Sequence, residues 1–211
     1  MADDKVCSGL FASLQTFDKS KLKKTETSVT TVDGRRLLEK VDTHGRRTSH
    51  LVSQGILGYV GDVREDLQVA EVLPGLIMGS QDVAHNLELL RKYGVTHILN
   101  VATYVDNIYP DLFKYMDIQL LDIPETNIMV CFDQAFQFIE EARATGCVLV
   151  HCNAGVSRSA TIVIAYLMKT AHYSHKEAFK YLRELRPAVC PNAGFMAQLE
   201  YFGELLNTKQ Q

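Results

Sequence analysis

One stretch constrains this chain more than any other: residues 147–168 read CVLVHCNAGVSRSATIVIAYLM. The first five carry the apolar run expected of a strand at the centre of a parallel sheet. A loop of small residues follows, and from Arg158 onward the pattern becomes helical. A strand that feeds a helix through such a loop belongs to an α/β architecture.

The neighbouring patterns agree. VLPGLIMGS predicts a strand or turn pair about Pro74 and Gly75, and DVAHNLELLRKYG a helix beginning near Asp82 and stopping at Gly94. VTHILNVA, residues 95–102, is a short buried strand rich in β-branched residues, and YMDIQLLDI is another. Phe132, Ala135, Phe136 and Ile139 recur at the spacing of a helix face, ending before Gly146. Beyond the central stretch, Ser174 with Glu177 three residues on forms a capping box that opens a second helix. A third starts near Asn192 and buries Phe195, Leu199, Phe202 and Leu206. Together these predict a central, largely parallel sheet flanked by helices.

Charge divides the chain in two. Residues 1–64 hold eleven Lys and Arg against eight Asp and Glu, whereas residues 65–211 hold eleven against seventeen. The first span is polar, and Leu37, Leu38 and Val41 within it show no sustained period, which predicts a mobile arm. Residues 65–207 are expected to form one domain and 208–211 a tail. Its acidic balance argues against nucleic acid as a main partner, because such binding needs clustered phosphate-neutralising charge. Apolar runs fall far short of the ~20 residues of a membrane span, and MADDKVCSGLF lacks the layout of a secretory signal. The expected setting is cytoplasmic, with the nucleus also open. Five cysteines at irregular spacing, with no CxxC pair, read as free thiols, so no metal or cofactor is expected.

A lone cysteine after an apolar strand is ordinarily a small buried hydrophobe. Here His151 precedes Cys152, Gly155 follows three residues on, Arg158 six on and Ser159 seven on, which removes that reading. Free cysteine, with a pKa of about 8.5, is a few per cent thiolate at neutral pH, so a nucleophilic thiol needs surroundings that stabilise its anion. Asn153, Ala154, Gly155, Val156 and Ser157 let the backbone curl so that N–H groups point inward as a nest, to which the following helix adds its positive end. The same hollow fits a tetrahedral oxyanion. Arg158 completes it, because a guanidinium donates two parallel hydrogen bonds to phosphate oxygens as charge spreads over them during transfer. Ser159 can donate toward the sulfur when it leaves, and His151 can orient the cysteine backbone.

HCNAGVSRSA resembles the active-site loop of the cysteine-dependent protein phosphatases, and AYLM, residues 165–168, the helix signature of their dual-specificity branch. RPAVCPNAGFMAQL, residues 186–199, and THILNVA resemble further segments of that branch. The resemblance covers roughly residues 66–206. It implies a dual-specificity phosphatase catalytic domain that hydrolyses phosphotyrosine and phosphoserine or phosphothreonine in proteins through a phosphocysteine. It also implies a stress or MAP kinase pathway, with phosphorylated proteins, kinases of such a cascade among them, as partners. A compact part of about 140 residues implies a shallow pocket that admits the shorter phosphothreonine.

Expelling the substrate oxygen needs a proton donor from another segment. Asp122, in LLDIPETNI, stands at the end of a predicted strand, where α/β folds place functional loops. The resemblance implies the same residue, since an Asp with an Asn five places on, here Asn127, matches the family's acid loop. Asp106, Asp111 and Asp117 sit at predicted turns or strand edges. A phosphoinositide phosphatase would want lysines inside the loop, an RNA phosphatase a basic body, and a phosphoprotein-binding scaffold would lack the Cys, Arg or Asp. Rhodanese-like sulfur transfer does not need His151, Arg158 and Ser159. Two further expectations concern regulation: the basic clusters DKSKLKK and GRRLL in the arm could dock on acidic kinase grooves, and Cys147 or Cys190 could resolve an oxidised Cys152.

Overall fold

The computed structural model describes residues 26–30, 36–41, 47–53 and 65–208. Two compact units divide near residue 60. The first contains a three-stranded antiparallel sheet, ordered β1 (Glu26–Thr30), β2 (Arg36–Val41), β3 (Arg47–Ser53). These strands fall within the span for which the sequence predicts an arm without regular structure. Their signal is short, namely β-branched ETSVT and an Asp33-Gly34 pair between two runs, and the apolar-polar alternation in the sequence is weak. The DKSKLKK cluster, and Gly34 and Arg35 of GRRLL, lie outside the described residues.

The second unit holds a five-stranded sheet. β4 (Ala70–Leu73) and β5 (Leu76–Gly79) form the antiparallel hairpin predicted about Pro74-Gly75. β5 runs parallel with β6 (Val95–Asn100), β7 (Lys114–Asp117) and β8 (Cys147–His151). The order across the sheet is β4-β5-β8-β6-β7. The expected largely parallel sheet is therefore present. β8 lies in the middle, and Val148, Leu149 and Val150 are fully buried because helices cover both faces. Val148 and Val150 face the larger core, and Leu149 faces a smaller one with Ile77, Ile98, Val83 and Leu90.

One long helix predicted from Asp82 to Gly94 is instead two short ones, α1 (Gln81–Ala84) and α2 (Leu87–Lys92). The break is chemical: Ser80 caps the first, and the Asn86 side chain accepts from the Leu89 N–H at 3.0 Å to begin the second. α3 (Phe132–Thr145) and α5 (His175–Leu185) follow the sequence prediction, the latter with the complete Ser174–Glu177 capping box. Between them α4 (Arg158–Thr170) is buried along its length from Arg158 to Met168. Tyr166 of the AYLM segment ties it to α3, donating to Glu140 and accepting from Arg143, both at 2.6 Å. α6 (Ala193–Thr208) buries Phe195 and Leu199, while Phe202 and Leu206 are partly buried against the same core. No helix among the described residues is long and apolar enough to cross a membrane.

Candidate active site

β8 ends between β5 and β6, so the loop after it rises from the carboxyl edge of the sheet. Every backbone carbonyl from His151 to Ser157 is engaged. That of His151 accepts from Val101 N–H at 2.9 Å, that of Asn153 from Gln81 N–H at 2.8 Å, and that of Val156 from Cys190 N–H at 2.9 Å. Those of Ala154 and Gly155 accept from Arg186 Nη2 at 2.8 Å and Nε at 2.9 Å. The Cys152 carbonyl lies 3.3 Å from Nδ1 of His151, and the Ser157 carbonyl accepts from both N and Oγ1 of Thr161 at 2.8 Å. The chain has no cis peptide among the described residues, so each outward carbonyl turns the next N–H the opposite way. The amides of residues 153–157 meet no acceptor among the described residues and face into the hollow. Gly155 makes the curl possible: its φ is +65°, and a Cβ there would sit 2.5 Å from the Gly79 carbonyl oxygen.

Cys152 and Arg158 are both nearly fully buried at this hollow. The sulfur of Cys152 lies 3.2 Å from Ser159 Oγ. Arg158 donates from Nη1 to the Leu120 carbonyl at 3.1 Å and from Nη2 to Asn153 Oδ1 at 2.5 Å. Its Nε is buried without a hydrogen-bond partner among the described residues, 3.5 Å from Asp122 Oδ2. Asp122 also accepts from Ser157 Oγ at 2.8 Å and Asn192 Nδ2 at 2.9 Å. A thiol, an arginine with one unmatched donor, a ring of amides and a carboxylate from another segment therefore meet at one place. Such a set can bind a tetrahedral oxyanion and attack its central atom.

Comparison with known proteins gives the same answer for the family. Residues 76–204 match the model of the dual specificity phosphatase catalytic domain. The chain belongs to this family. It is a dual-specificity protein phosphatase, a hydrolase. It is 48% identical over 195 residues to dual specificity protein phosphatase 19 of Mus musculus, covering 90% of this chain and 87% of that one. Among solved structures it resembles the human tyrosine phosphatase-like serine/threonine/tyrosine-interacting protein, at 37% identity and a TM-score of 0.63, over 66% of this chain and 97% of that one. It also resembles DUSP15, at 35% identity and a TM-score of 0.64, over 67% and 90%.

Two features of the phosphatase site were not visible in its sequence. Asp122 does not end a strand, because β7 stops at Asp117 and the chain then crosses the edge of the sheet irregularly. What holds its segment is α6: the Ile128 N–H donates to Gln198 Oε1 at 2.9 Å, and Gln198 Nε2 donates to the Thr126 carbonyl at 2.8 Å. Gly194 at the start of α6 packs so closely on the Pro124 backbone that no Cβ fits. The resemblance of RPAVCPNAGFMAQL thus has a physical content: Asn192, Gly194 and Gln198 dock the Asp122 segment onto the loop. The second feature is Arg186, which opens the RPAVCPNAGFMAQL segment but to which the sequence assigns no role, and which is wholly buried behind the loop.

Oxidised Cys152 cannot be resolved by Cys147 as the sequence suggested. The two stand at opposite ends of β8, about 16 Å apart at ~3.3 Å per residue, whereas a disulfide needs Cα atoms within about 7 Å. Burial also pushes the Cys147 thiol up, and it raises the Cys131 thiol to about 11. Cys190 is exposed, and its N–H holds the Val156 carbonyl.

His151 is pulled down to about 4, chiefly by burial, against its bond to the Cys152 carbonyl and with the charges of His85 and Arg158 adding to the fall. The folded value lies below the unfolded 6.5, so on acidification the unfolded chain takes the proton first. Stability from neutral His151 is complete above pH 6.5 and is lost as pH falls toward 4, by on the order of 3 kcal/mol. Thermal unfolding across this range should therefore show a smaller acid-induced drop for His151→Asn than for the wild-type protein. Parallel curves would remove His151 from the account.

Proposed function

We propose that Cys152 is the nucleophile, Arg158 the phosphate clamp and Asp122 the general acid in hydrolysis of phosphotyrosine, phosphothreonine and phosphoserine in proteins. The sulfur attacks phosphorus, the S–P bond forms, and the P–O bond to the side chain breaks as Asp122 gives its proton to the leaving oxygen. Water then attacks the phosphocysteine, Asp122 takes a proton from it, and inorganic phosphate leaves. Ser159 donates a hydrogen bond to the departing sulfur. The amides of residues 153–157 and the guanidinium of Arg158 are aimed at the three equatorial oxygens, where charge collects. His151 holds the Cys152 carbonyl and remains neutral.

One observation carries this reading. A buried Arg158 Nε, with no hydrogen-bond partner among the described residues and Asp122 Oδ2 at 3.5 Å, stands beside a loop whose carbonyls are all engaged outside the hollow. A buried donor without a hydrogen bond calls for an explanation, and a bound oxyanion is the one this reading supplies.

Asp122→Asn tests the acid. Turnover of a phosphothreonine peptide should fall about 10²–10⁴-fold, and that of an activated aryl phosphate much less, because a good leaving group needs no proton. Equal losses for both would exclude the role.

The physiological substrates are proposed to include phosphorylated kinases of a stress or MAP kinase cascade, on the strength of the sequence resemblance. Capture of phosphoproteins from cell extract by the Cys152→Ser protein tests this directly. Absence of any such kinase among captured proteins would turn the proposal elsewhere.

A further inference from the structure

We infer that Arg186 and Asp66 act as a positioning pair that keeps the anion-binding loop in its inward-facing form. Part of the phosphatase apparatus then lies upstream of the family match, which starts at residue 76. The inference rests on the loop being the phosphate site.

Arg186 is the largest wholly buried side chain among the described residues. A guanidinium in that position needs an acceptor for each of its five N–H groups. All five are answered. Nε donates to the Gly155 carbonyl at 2.9 Å and Nη2 to the Ala154 carbonyl at 2.8 Å. Nη1 donates to the Gln68 carbonyl at 2.7 Å and to Asp66 Oδ1 at 3.4 Å, and Nη2 pairs with Asp66 Oδ2. Asp66 is the counter-charge.

Asp66 is itself tied to the floor of the site. Its N–H donates to Asp82 Oδ2 at 2.9 Å, and its carbonyl accepts from Ser80 Oγ at 2.7 Å. The same Ser80 caps α1, whose first N–H, from Gln81, holds the Asn153 carbonyl at 2.8 Å. Three consecutive loop carbonyls, those of Asn153, Ala154 and Gly155, are therefore fastened by one network with Asp66 at its centre.

The consequence for the reaction is geometric. Without donors behind them, the peptide units after Ala154 and Gly155 lose what orients them. Gly155, at positive φ and without a Cβ, offers little resistance to a flip. A flip would turn the N–H groups of Gly155 and Val156 away from the oxyanion and bring two carbonyl oxygens toward it. Arg186 touches no substrate in this scheme and acts through the loop. Its donors are spent on Asp66 and three carbonyls, so its role differs from that of Arg158.

The test compares full-length wild type, Arg186→Lys, Asp66→Asn and Cys152→Ser by calorimetric titration with sodium tungstate, by kinetics on a phosphotyrosine peptide, and by thermal unfolding. Lysine cannot donate to three carbonyls and a carboxylate in the planes a fork provides. Arg186→Lys should weaken tungstate binding about 100-fold and lower kcat/KM by a similar factor, as expected for two misdirected donors to a charged ligand. Asp66→Asn keeps an acceptor but loses the charge, and should weaken tungstate about tenfold. A folded variant of either kind that binds tungstate as tightly as wild type would overturn the inference, even if its melting temperature fell. Should Arg186→Lys fail to fold, Asp66→Asn decides alone. Cys152→Ser separates the two readings: turnover surviving in it would end the nucleophile assignment, while the tungstate comparison among the other variants would still judge Arg186 and Asp66.

Discussion

Replacing Cys152 with serine is expected to reduce hydrolysis of every phosphate ester by at least about 10⁴-fold, the scale of losing the nucleophile from a preorganised site. The oxygen of serine ionises far less readily than sulfur, so the attack fails while the surroundings stay in place. Cys152 is buried against Ser159, and a hydroxyl fits where the thiol stood, so the fold should be kept. The ring of amides and Arg158 are untouched, and the variant should therefore still bind oxyanions and hold phosphorylated substrates. Steady-state kinetics with an aryl phosphate and a phosphopeptide check the loss, and tungstate titration checks the retained binding. Turnover near the wild-type rate would sink nucleophilic catalysis by this sulfur.

Arg158→Lys is expected to cost about 10³-fold or more in kcat, the range seen when an arginine that stabilises a phosphoryl transition state is removed. The reason lies in how the guanidinium is already placed. Nη1 is held by the Leu120 carbonyl and Nη2 by Asn153 Oδ1, and Nε stands opposite Asp122. A lysine ammonium is a single point of charge and cannot satisfy these acceptors while also presenting a planar pair of donors to phosphate. The change also removes the guanidinium facing Asp122, so oxyanion affinity and leaving-group dependence should both move. An Arg158→Lys protein within about threefold of wild type in kcat, a change below what loss of one charged hydrogen bond produces, would show that the clamp lies elsewhere.

The chemistry of the loop was legible because its members are neighbours along the chain. Between His151 and Ser159 the proposed nucleophile, the small residues of the nest, the proposed clamp and the hydroxyl follow one another, and the flanking apolar patterns predict a strand before them and a helix after. Local order of this kind needs no knowledge of packing. The strands of the first unit were missed because their alternation is weak, and the single helix drawn from Asp82 to Gly94 was wrong because a side-chain cap at Asn86 outweighed a continuous helical pattern.

The supports of the loop are another matter. Asp122 meets Ser157 across 35 residues and Asn192 across 70, and Arg186 meets Asp66 across 120. No spacing rule reaches that far, because such contacts exist only once α4, α5 and α6 have packed on the sheet and brought their ends together. The residue order by itself determined which atoms could do the chemistry, since reactivity belongs to side chains a few positions apart. Tertiary structure alone decided how the Asp122 segment is held against them and what keeps the backbone in shape, since those depend on burial that forms when distant segments exclude water together.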